Sequence, residues 1–350
     1  MKTVVFLGAG ASKAMGFPLT SEILPRILEG IRTGELFGGG AANGGQRASL
    51  DELLRTMLPG SGKVDEKHLP LITDVLSILD FSLLSSSSPL PRQRRQQLSE
   101  SRKLLERAIL EIIDCPYDHL TVPARLRRFA DWLHRRNGHV PDDVSVISSN
   151  YDISVETELF GRIAADPVEK LVDFGVEWRD PGTGRLHPRP AEPRFRIYKL
   201  HGSVNWLRCP LCDHVYVNVY GSITHNAFAP DRNDFNTCEC DYWPLEPVVV
   251  APSTVRDIRD SSLLEIWRHS LEVLRSAERW VIVGYSFPPE DIAIRSMFLR
   301  AYAGRRKAPS VEVVQVARDP AVEARYRVFF PDCVYGTGGM EGFVDALALD

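Results

Sequence analysis

Four of the six cysteines fall in one stretch as two close pairs, Cys209 with Cys212 and Cys238 with Cys240. Four thiolates in such pairs are typical of a structural zinc site, in which Zn²⁺ has tetrahedral coordination and no open position for catalysis. The usual second pair is C-x2-C, so the C-x-C spacing leaves open whether Cys240, His214 or His225 is the fourth ligand. Free thiols of a degenerate ribbon are the alternative to zinc.

A glycine-rich segment follows the first apolar run of the chain, Thr3 to Leu7. It reads Gly8-Ala9-Gly10-Ala11-Ser12 and precedes a segment compatible with a helix. Glycine permits a tight turn and a close backbone approach, so that successive N–H groups can surround a pyrophosphate at a helix N-terminus. The segment lacks the GxGxxG spacing, and a plain strand-to-helix turn is the alternative interpretation.

Polar side chains follow two further apolar runs. Asn150 and Asp152 come after the run that begins at Val144, and His201 comes after the run that begins at Phe195. Ligands of open parallel sheets bind at the carboxyl ends of the strands, so these residues and the glycine segment are expected to face one crevice. Taken singly, the first two also fit an Asx turn, and His201 fits a structural histidine.

Short β-branched and apolar runs predict the elements that hold these residues. They are Thr3 to Leu7, Val144 to Ile147, Phe195 to Leu200, Pro247 to Val250, Trp280 to Val283 and Val311 to Val316. Each is typical of a buried parallel strand. Helix-length patterns between them, such as 263–274, indicate βαβ crossovers. The fold class predicted is α/β, a Rossmann-type doubly wound parallel sheet with a helical insertion and a small zinc-ribbon-like module.

The same patterns predict three regions of the chain. The Rossmann-type domain comprises 1–35, 140–205 and 246–345, the helical insertion 36–139, and the cysteine module 206–245. Leu/Ile/Arg-rich helical periods characterise the insertion, whereas the module is defined by its cysteines.

Composition excludes several classes of function. The 350 residues are 44% hydrophobic and 25% charged, typical of a globular protein, and the formal net charge is -4. That charge gives no general attraction to phosphate backbones, so direct nucleic-acid binding is not expected. No apolar run approaches the ~20 residues of a membrane span, and the first run is too short for a signal peptide, so we expect a cytoplasmic protein without membrane contact.

Four motifs in order along the chain resemble the sirtuin superfamily, and more closely its divergent bacterial sirtuin-like branch associated with antiphage defence. They are Gly8-Ala9-Gly10-Ala11-Ser12, Ser149-Asn150-Tyr151-Asp152, Leu200-His201-Gly202-Ser203 and Val283-Gly284-Tyr285-Ser286. The resemblance spans residues 3 to about 316, with the helical insertion between the first and second motifs.

This resemblance implies an NAD site and a role for each matching residue. Gly8, Ala9, Gly10 and Ser12 match the loop that holds the NAD phosphates, whereas Gly284, Tyr285 and Ser286 match the turn beside the adenosine half. Asn150 matches the asparagine that orients the nicotinamide ribose and water. Asp152 matches the group that recognises the nicotinamide carboxamide, and His201 matches the catalytic histidine.

Departures from the family pattern bear on the reaction. Protein-deacetylating sirtuins usually carry a Phe-Arg pair after the first motif, but here Gly16-Phe17-Pro18 continues as Leu19-Thr20-Ser21, and Ser149 and Tyr151 depart from Gln-Asn-Ile-Asp. These changes resemble the branch that hydrolyses NAD to ADP-ribose and nicotinamide, in defence by NAD depletion. A zinc-containing NAD-dependent protein deacylase is one alternative. A non-catalytic nucleotide-binding subunit of a defence assembly is another, although binding alone would not require both Asn150 and His201.

Control of such an activity is expected by family analogy alone. The analogy implies a homo-oligomer, or a separate partner such as an ATPase or a nucleic-acid-guided defence protein. Hydride transfer is not expected, because there is no GxGxxG and no acidic residue ends a second strand ~20 residues after the glycine segment.

Overall fold

The computed structural model describes residues 1–13, 15–40, 43–85, 95–114, 124–139, 143–163, 166–229, 231–249, 261–289 and 291–347. The chain forms two compact units. The first takes its described residues from 1–16, 116–249 and 258–350, and the second takes them from 17–115. Across the described ranges, no helix is both long enough and apolar enough to cross a bilayer.

Twelve strands occur in the described residues, all in the first unit: β1 (Thr3–Leu7), β2 (Val144–Ser148), β3 (Val172–Asp173), β4 (Trp178–Arg179), β5 (Leu186–His187), β6 (Phe195–Lys199), β7 (Gly202–Arg208), β8 (Val215–Val217), β9 (Glu246–Val249), β10 (Arg279–Val283), β11 (Ser310–Val314) and β12 (Val334–Gly336). The described helices of both units are α1 (Ala9–Lys13), α2 (Thr20–Thr33), α3 (Gly44–Met57), α4 (Ile72–Leu84), α5 (Arg95–Ile113), α6 (Ala124–His139), α7 (Ser154–Arg162), α8 (Val168–Leu171), α9 (Thr224–Ala227), α10 (Ser261–Ser276), α11 (Ile292–Tyr302), α12 (Pro320–Phe329) and α13 (Gly339–Leu347).

A seven-stranded sheet forms the centre of the first unit. Its order is β12-β11-β10-β1-β2-β6-β3, and every neighbouring pair is parallel. All five residues of β1 and of β2 are buried, as expected for parallel strands that are covered on both faces. The predicted α/β class with a doubly wound parallel sheet is confirmed.

A second sheet in the same unit has five strands in the order β5-β4-β8-β7-β9. The run Pro247 to Val250 was predicted to be a parallel strand, and this is wrong. Up to Val249 it forms β9, which pairs antiparallel with β7 and includes a register shift; Val250 lies outside the described residues. An apolar run of four residues indicates burial but carries no information about strand direction.

The chain passes from one sheet to the other through two residues. β6 ends at Lys199 in the seven-stranded sheet, and β7 begins at Gly202 in the five-stranded sheet. Gly202 has a φ of +78°, and a Cβ at this position would lie 1.8 Å from the carbonyl oxygen of Val248. Only glycine fits here, because a side chain would collide with β9 and the left-handed backbone disfavours other residues.

The second unit is helical in its described residues. It contains α2 to α5 and two 3-10 turns, Ser61–Lys63 and Glu66–His68. Leucine and isoleucine at helical spacing form its core, including Leu24 and Ile27 of α2, Leu53 of α3 and Leu79 of α4. The amphipathic periods predicted for this part of the chain therefore bury one face of each helix.

The boundaries of the units differ from those predicted. Helix α2 was assigned to the Rossmann-type domain but belongs to the helical unit, whereas α6 was assigned to the insertion but belongs to the first unit. Leu126, Phe129 and Leu133 of α6 are buried, and the Phe129 ring lies 5.9 Å from that of Phe343. Periodicity identifies the buried face of a helix but not the core that receives it.

The predicted cysteine module, 206–245, is only a part of the five-stranded sheet. Strands β4 and β5 precede it in the chain and β9 follows it. Leu207, Tyr216, Ile223 and Leu245 pack with Cys209 and Cys238 into a small apolar core. The sheet therefore extends beyond the segment that the cysteines define.

Candidate active site

The predicted site residues follow four strands that are adjacent in the sheet. In the order β10-β1-β2-β6, the strands end before Gly284, Gly8, Ser149 and Leu200. The chain winds from β1 to β2 on one side and later returns to β10 on the other. A reversal of this kind opens a crevice at the carboxyl ends of the strands, where ligands of α/β proteins bind.

A hydrogen-bonded network joins Ser12, Asn150 and Asp152. Asn150 Nδ2 donates to the carbonyl oxygen of Gly8 at 2.9 Å and to Ser12 Oγ at 2.7 Å. Ser12 Oγ in turn donates to Asp152 Oδ2 at 2.5 Å. All three side chains are buried. Because both strand ends contribute, the network fixes the glycine loop against the turn that follows β2.

The Asp152 carboxylate is held from both of its oxygens. Oδ2 accepts from Ser12, and Oδ1 accepts from the Ser154 backbone N–H at 3.1 Å and from the Ser154 hydroxyl. Ser154 is the first residue of α7, so the carboxylate lies at a helix N-terminus, where negative charge is stabilised. These donors fix the orientation of the carboxylate toward the glycine loop.

The glycine loop packs against the end of β10. Gly8 N donates to the carbonyl oxygen of Val283 at 2.9 Å, and Gly10 N donates to that of Gly284 at 2.8 Å. A Cβ on Gly10 would lie 2.9 Å from Gly284 Cα, and one on Gly284, whose φ is +65°, would lie 2.1 Å from Ala11 N. The glycines therefore allow two backbones to touch. The N–H groups of Gly8 and Gly10 are engaged in these bonds within the protein, and the phosphate-binding role of the loop stays a prediction.

The turn after β10 places its three predicted residues differently. Tyr285 is buried: its ring lies 5.0 Å from that of Phe6, and its hydroxyl donates to Asp291 Oδ2 at 2.7 Å. Ser286 is exposed, and its carbonyl oxygen accepts from Arg325. Gly284 supports the glycine loop. The Tyr285 side chain thus packs in the core, because Phe6 of β1 offers it an aromatic neighbour.

His201 lies in the two-residue connection between β6 and β7, and its side chain is buried. Its Nδ1 is 3.0 Å from the carbonyl oxygen of Ser149. A carbonyl only accepts, so Nδ1 carries the proton in the neutral ring, and Nε2 carries the lone pair. The ring centroids of Tyr151 and Trp267 lie 6.1 and 6.4 Å away. The second and third motifs are therefore in contact.

A pocket beside the network brings in two charged residues that the sequence did not predict. Ser12, Asn150 and Asp152 line it together with Glu156 and Lys199. Lys199 Nζ lies 3.1 Å from Glu156 Oε1, with 2% and 6% of the side chains exposed. Burial raises the pKa of Glu156; the Lys199 ammonium opposes this, and the Asp152 charge adds to it. A lysine inside the apolar run 195–200 was the available signal, because lysine is almost never fully buried unless it is paired.

The four cysteine side chains converge. Their sulfur atoms all lie within 4.8 Å of one another, with Cys209 Sγ 3.7 Å from Cys240 Sγ and Cys212 Sγ 3.5 Å from Cys238 Sγ. A tetrahedral zinc site with Zn–S bonds of about 2.3 Å requires sulfur atoms about 3.8 Å apart. The geometry therefore fits one Zn²⁺ held by four thiolates. Among the described residues, neither His214 nor His225 belongs to this group.

Hydrogen bonds reach the sulfur atoms of two of these cysteines, whereas burial raises the pKa of a third, Cys212. The Leu211 N–H donates to Cys209 Sγ at 3.4 Å, and the Tyr216 hydroxyl donates to Cys238 Sγ at 3.2 Å. Burial acts to raise the pKa of Cys238, but the hydrogen bonds from Tyr216 and from the Cys240 N–H outweigh it and lower the pKa to about 7. Donors of this kind orient metal ligands and make the thiolates easier to form.

No family model and no curated protein matches this chain. Solved structures of Sir2 proteins are similar to it. A Sir2 homolog–NAD complex shares 12% identity over 99% of this chain and 90% of its own, with a TM-score of 0.46. A structure on the mechanism and regulation of Sir2 enzymes shares 16% identity over 99% and 93%, with a TM-score of 0.43. At these TM-scores the likeness does not bear on activity, and the fold class rests on the strand order and register of this chain.

Proposed function

We propose that this protein is an NAD⁺ glycohydrolase that cleaves NAD⁺ to ADP-ribose and nicotinamide. The observation that carries the proposal is the buried network of Ser12, Asn150 and Asp152, which joins the motifs after β1 and β2 beside a pocket. His201, from the motif after β6, lies next to the same turn through its contact with Ser149. The sequence resemblance assigns an NAD role to each of these residues.

The reaction needs few groups from the protein. The bond between the ribose C1′ and the nicotinamide nitrogen breaks, and its electron pair goes to the cationic ring, which leaves neutral. A water oxygen forms the new bond to C1′, and one proton is released. The transition state resembles an oxocarbenium ion, so it requires positioning of the ribose more than a strong acid.

Three residues serve this step in the proposal. Asn150 orients the nicotinamide ribose and the attacking water, and Asp152 recognises the carboxamide. His201 accepts the proton from water or from a ribose hydroxyl at Nε2, because its Nδ1 donates to the Ser149 carbonyl. Gly8, Ala9 and Gly10 bring the loop close to the phosphates, and the turn from Gly284 to Ser286 lies on the adenosine side.

The second candidate is a zinc-containing NAD-dependent protein deacylase. The converging sulfur atoms of the four cysteines favour it, since they fit the zinc site that this alternative includes. The absence of a Phe-Arg pair after Pro18 favours the hydrolase instead. In both enzymes, the four protein ligands leave Zn²⁺ no open position, so the metal would be structural.

The test is product analysis after incubation of the purified protein with NAD⁺, with and without an acetylated peptide. Asn150→Ala and His201→Ala are the site variants. Formation of ADP-ribose and nicotinamide without peptide, lost in both variants, supports the hydrolase. Peptide-dependent O-acetyl-ADP-ribose identifies the deacylase, and tight NAD⁺ binding without turnover leaves a partner-dependent enzyme or a nucleotide-binding subunit.

A biological role completes the proposal. We infer that the enzyme acts in the cytoplasm in antiphage defence by depleting NAD⁺, as a homo-oligomer or under a separate ATPase or nucleic-acid-guided protein. The sequence resemblance supports this role. Measurement of NAD⁺ in phage-challenged cells that express the wild type or His201→Ala tests it: equal NAD⁺ levels would contradict the role.

A further inference from the structure

Lys199 is the last residue of β6 and holds the connection between β2 and α7 at two points. Its ammonium donates to the backbone carbonyl of Asp152 and pairs with Glu156 Oε1 at 3.1 Å. Asp152 lies in the turn after β2, and Glu156 lies in the first turn of α7. The Lys199 side chain, from a neighbouring strand, therefore contacts both ends of the segment 152–156.

Burial of this lysine requires a reason other than fold stability. Removing an ammonium and a carboxylate from water is costly, and well-packed apolar residues in place of a buried ion pair are often neutral or stabilising. Side chains alternate along β6, so Phe195 and Ile197 share a face with Lys199, and both are buried apolar residues. An apolar residue at position 199 would continue the pattern, so stability alone does not account for the charge.

The bond to the Asp152 carbonyl distinguishes Lys199 from a simple ion-pair partner. The backbone of Asp152 is fixed by Lys199, while its carboxylate accepts from Ser12, which accepts from Asn150 Nδ2. Displacement of this backbone would move the carboxylate and change both hydrogen bonds. Lys199 also lines the same pocket as those three side chains.

We propose that Lys199 is a positioning residue, whose bond to the Asp152 carbonyl fixes the Asn150–Asp152 turn in the geometry that the active site requires. Its importance for turnover rests on the proposed NAD⁺ glycohydrolase function. The fixing of the turn by Lys199 is independent of that function, because it is a property of the protein without NAD⁺. Glu156 then serves as the counter-charge that allows the ammonium to be buried.

Three variants separate positioning from the burial of charge. Lys199→Met removes the carbonyl bond and leaves Glu156 without its ammonium. Glu156→Met removes the counter-charge but keeps the donor to Asp152. The double variant Lys199→Met/Glu156→Met removes both charges and should recover the thermal stability that each single variant loses. Lys170→Met, at an exposed lysine on α8, is the control.

Hydrogen–deuterium exchange of a peptide covering 149–155 is the first measurement, together with the midpoint of thermal unfolding. We expect exchange to be about tenfold faster in Lys199→Met and in the double variant, even where the double variant regains the wild-type midpoint. Wild-type exchange in a stable double variant would overturn the inference, because the turn would then hold without Lys199.

Steady-state NAD⁺ hydrolysis by the same proteins is the second measurement. A drop in kcat/KM on the order of 100-fold in the double variant, with Lys170→Met unchanged, supports the positioning role. Wild-type kinetics in the double variant would overturn it. If the wild type does not turn NAD⁺ over but exchange still rises in both Lys199 variants, the fixing of the turn is supported and the proposed hydrolase is not.

Discussion

The Ser12 hydroxyl donates to Asp152 Oδ2 over 2.5 Å and so joins the loop after β1 to the turn after β2. The same hydroxyl oxygen accepts from Asn150 Nδ2. The Ser12 side chain thus orients both Asn150 and Asp152. In the proposed function, these two residues bind the nicotinamide riboside part of NAD⁺. Its removal should affect stability and turnover together.

Ser12→Ala tests this relationship. We expect the free energy of unfolding to fall by about 1–3 kcal/mol, because Asn150 and Asp152 each lose a buried partner. NAD⁺ turnover should fall more than stability alone explains. Denaturant unfolding and initial rates measure the two effects. Ser276→Ala, at an exposed serine on α10, is the matched control. Similar losses in both variants would contradict a special role for Ser12.

Gly284→Ala tests the backbone contact between β10 and the glycine loop. Gly284 and Gly304 both have positive φ, +65° and +75°, but a Cβ on Gly304 meets nothing within 4 Å. Gly304→Ala should therefore show only the backbone cost of about 1 kcal/mol. Gly284→Ala must also displace the loop, and we expect about 3 kcal/mol or more. Urea denaturation compares the two, and equal midpoints would exclude the close contact as a source of stability.

Metal analysis tests the cysteine site. The purified protein should contain about one Zn²⁺ per chain, and Cys209→Ser should lose it. Cys333→Ser is the control, because Cys333 is a buried cysteine outside the group of four. Removal of zinc with a chelator should lower the unfolding midpoint, since metal affinity contributes to the folded state. Retention of zinc by Cys209→Ser would show that another ligand set holds it.

Asp173 predicts a dependence of stability on acid pH. Burial acts to raise its pKa, but hydrogen bonds from Arg189, from the Gly175 N–H and from Tyr198 outweigh this and lower the pKa below 3.8. A carboxyl with a lowered pKa stabilises the folded state above its unfolded pKa. This stability is lost as the pH falls through the folded pKa, because the unfolded chain then binds more protons.

The variant Asp173→Asn should therefore flatten the decline in stability below about pH 4, the range of the unfolded carboxyl. At neutral pH it should cost about 2–3 kcal/mol, because hydrogen bonds to a charged group are lost. Urea midpoints across pH 2.5 to about 7 measure both effects, with the exposed Asp332→Asn as control. An unchanged acid slope in Asp173→Asn would mean that other groups dominate.

The sequence predicted the elements whose signal is local. The buried β-branched runs of β1, β2 and β10 identified strands of the central sheet, and the cysteine spacing identified residues that converge. It did not predict the direction of β9, because pairing depends on a partner far along the chain. The short strands β3 and β12 carry too few residues to give a pattern.

The site residues, too, were predicted where their signal is local and missed where it depends on a distant partner. Glycines and polar residues after the strands marked the positions that meet, and the order of the sheet brings them together. Lys199 and Glu156 were missed because each appears ordinary alone, and only their pairing explains why either is buried. Tyr285 was assigned to a ligand, but the proximity of Phe6 places its ring in the core.

The passage from β6 to β7 contains two residues, and one of them is His201. The next residue, Gly202, packs so closely against Val248 that a Cβ would not fit between them. Strand β7 begins directly after the histidine and ends at Arg208, directly before Cys209, so the imidazole and the first of the four clustered cysteines flank one continuous strand of seven residues.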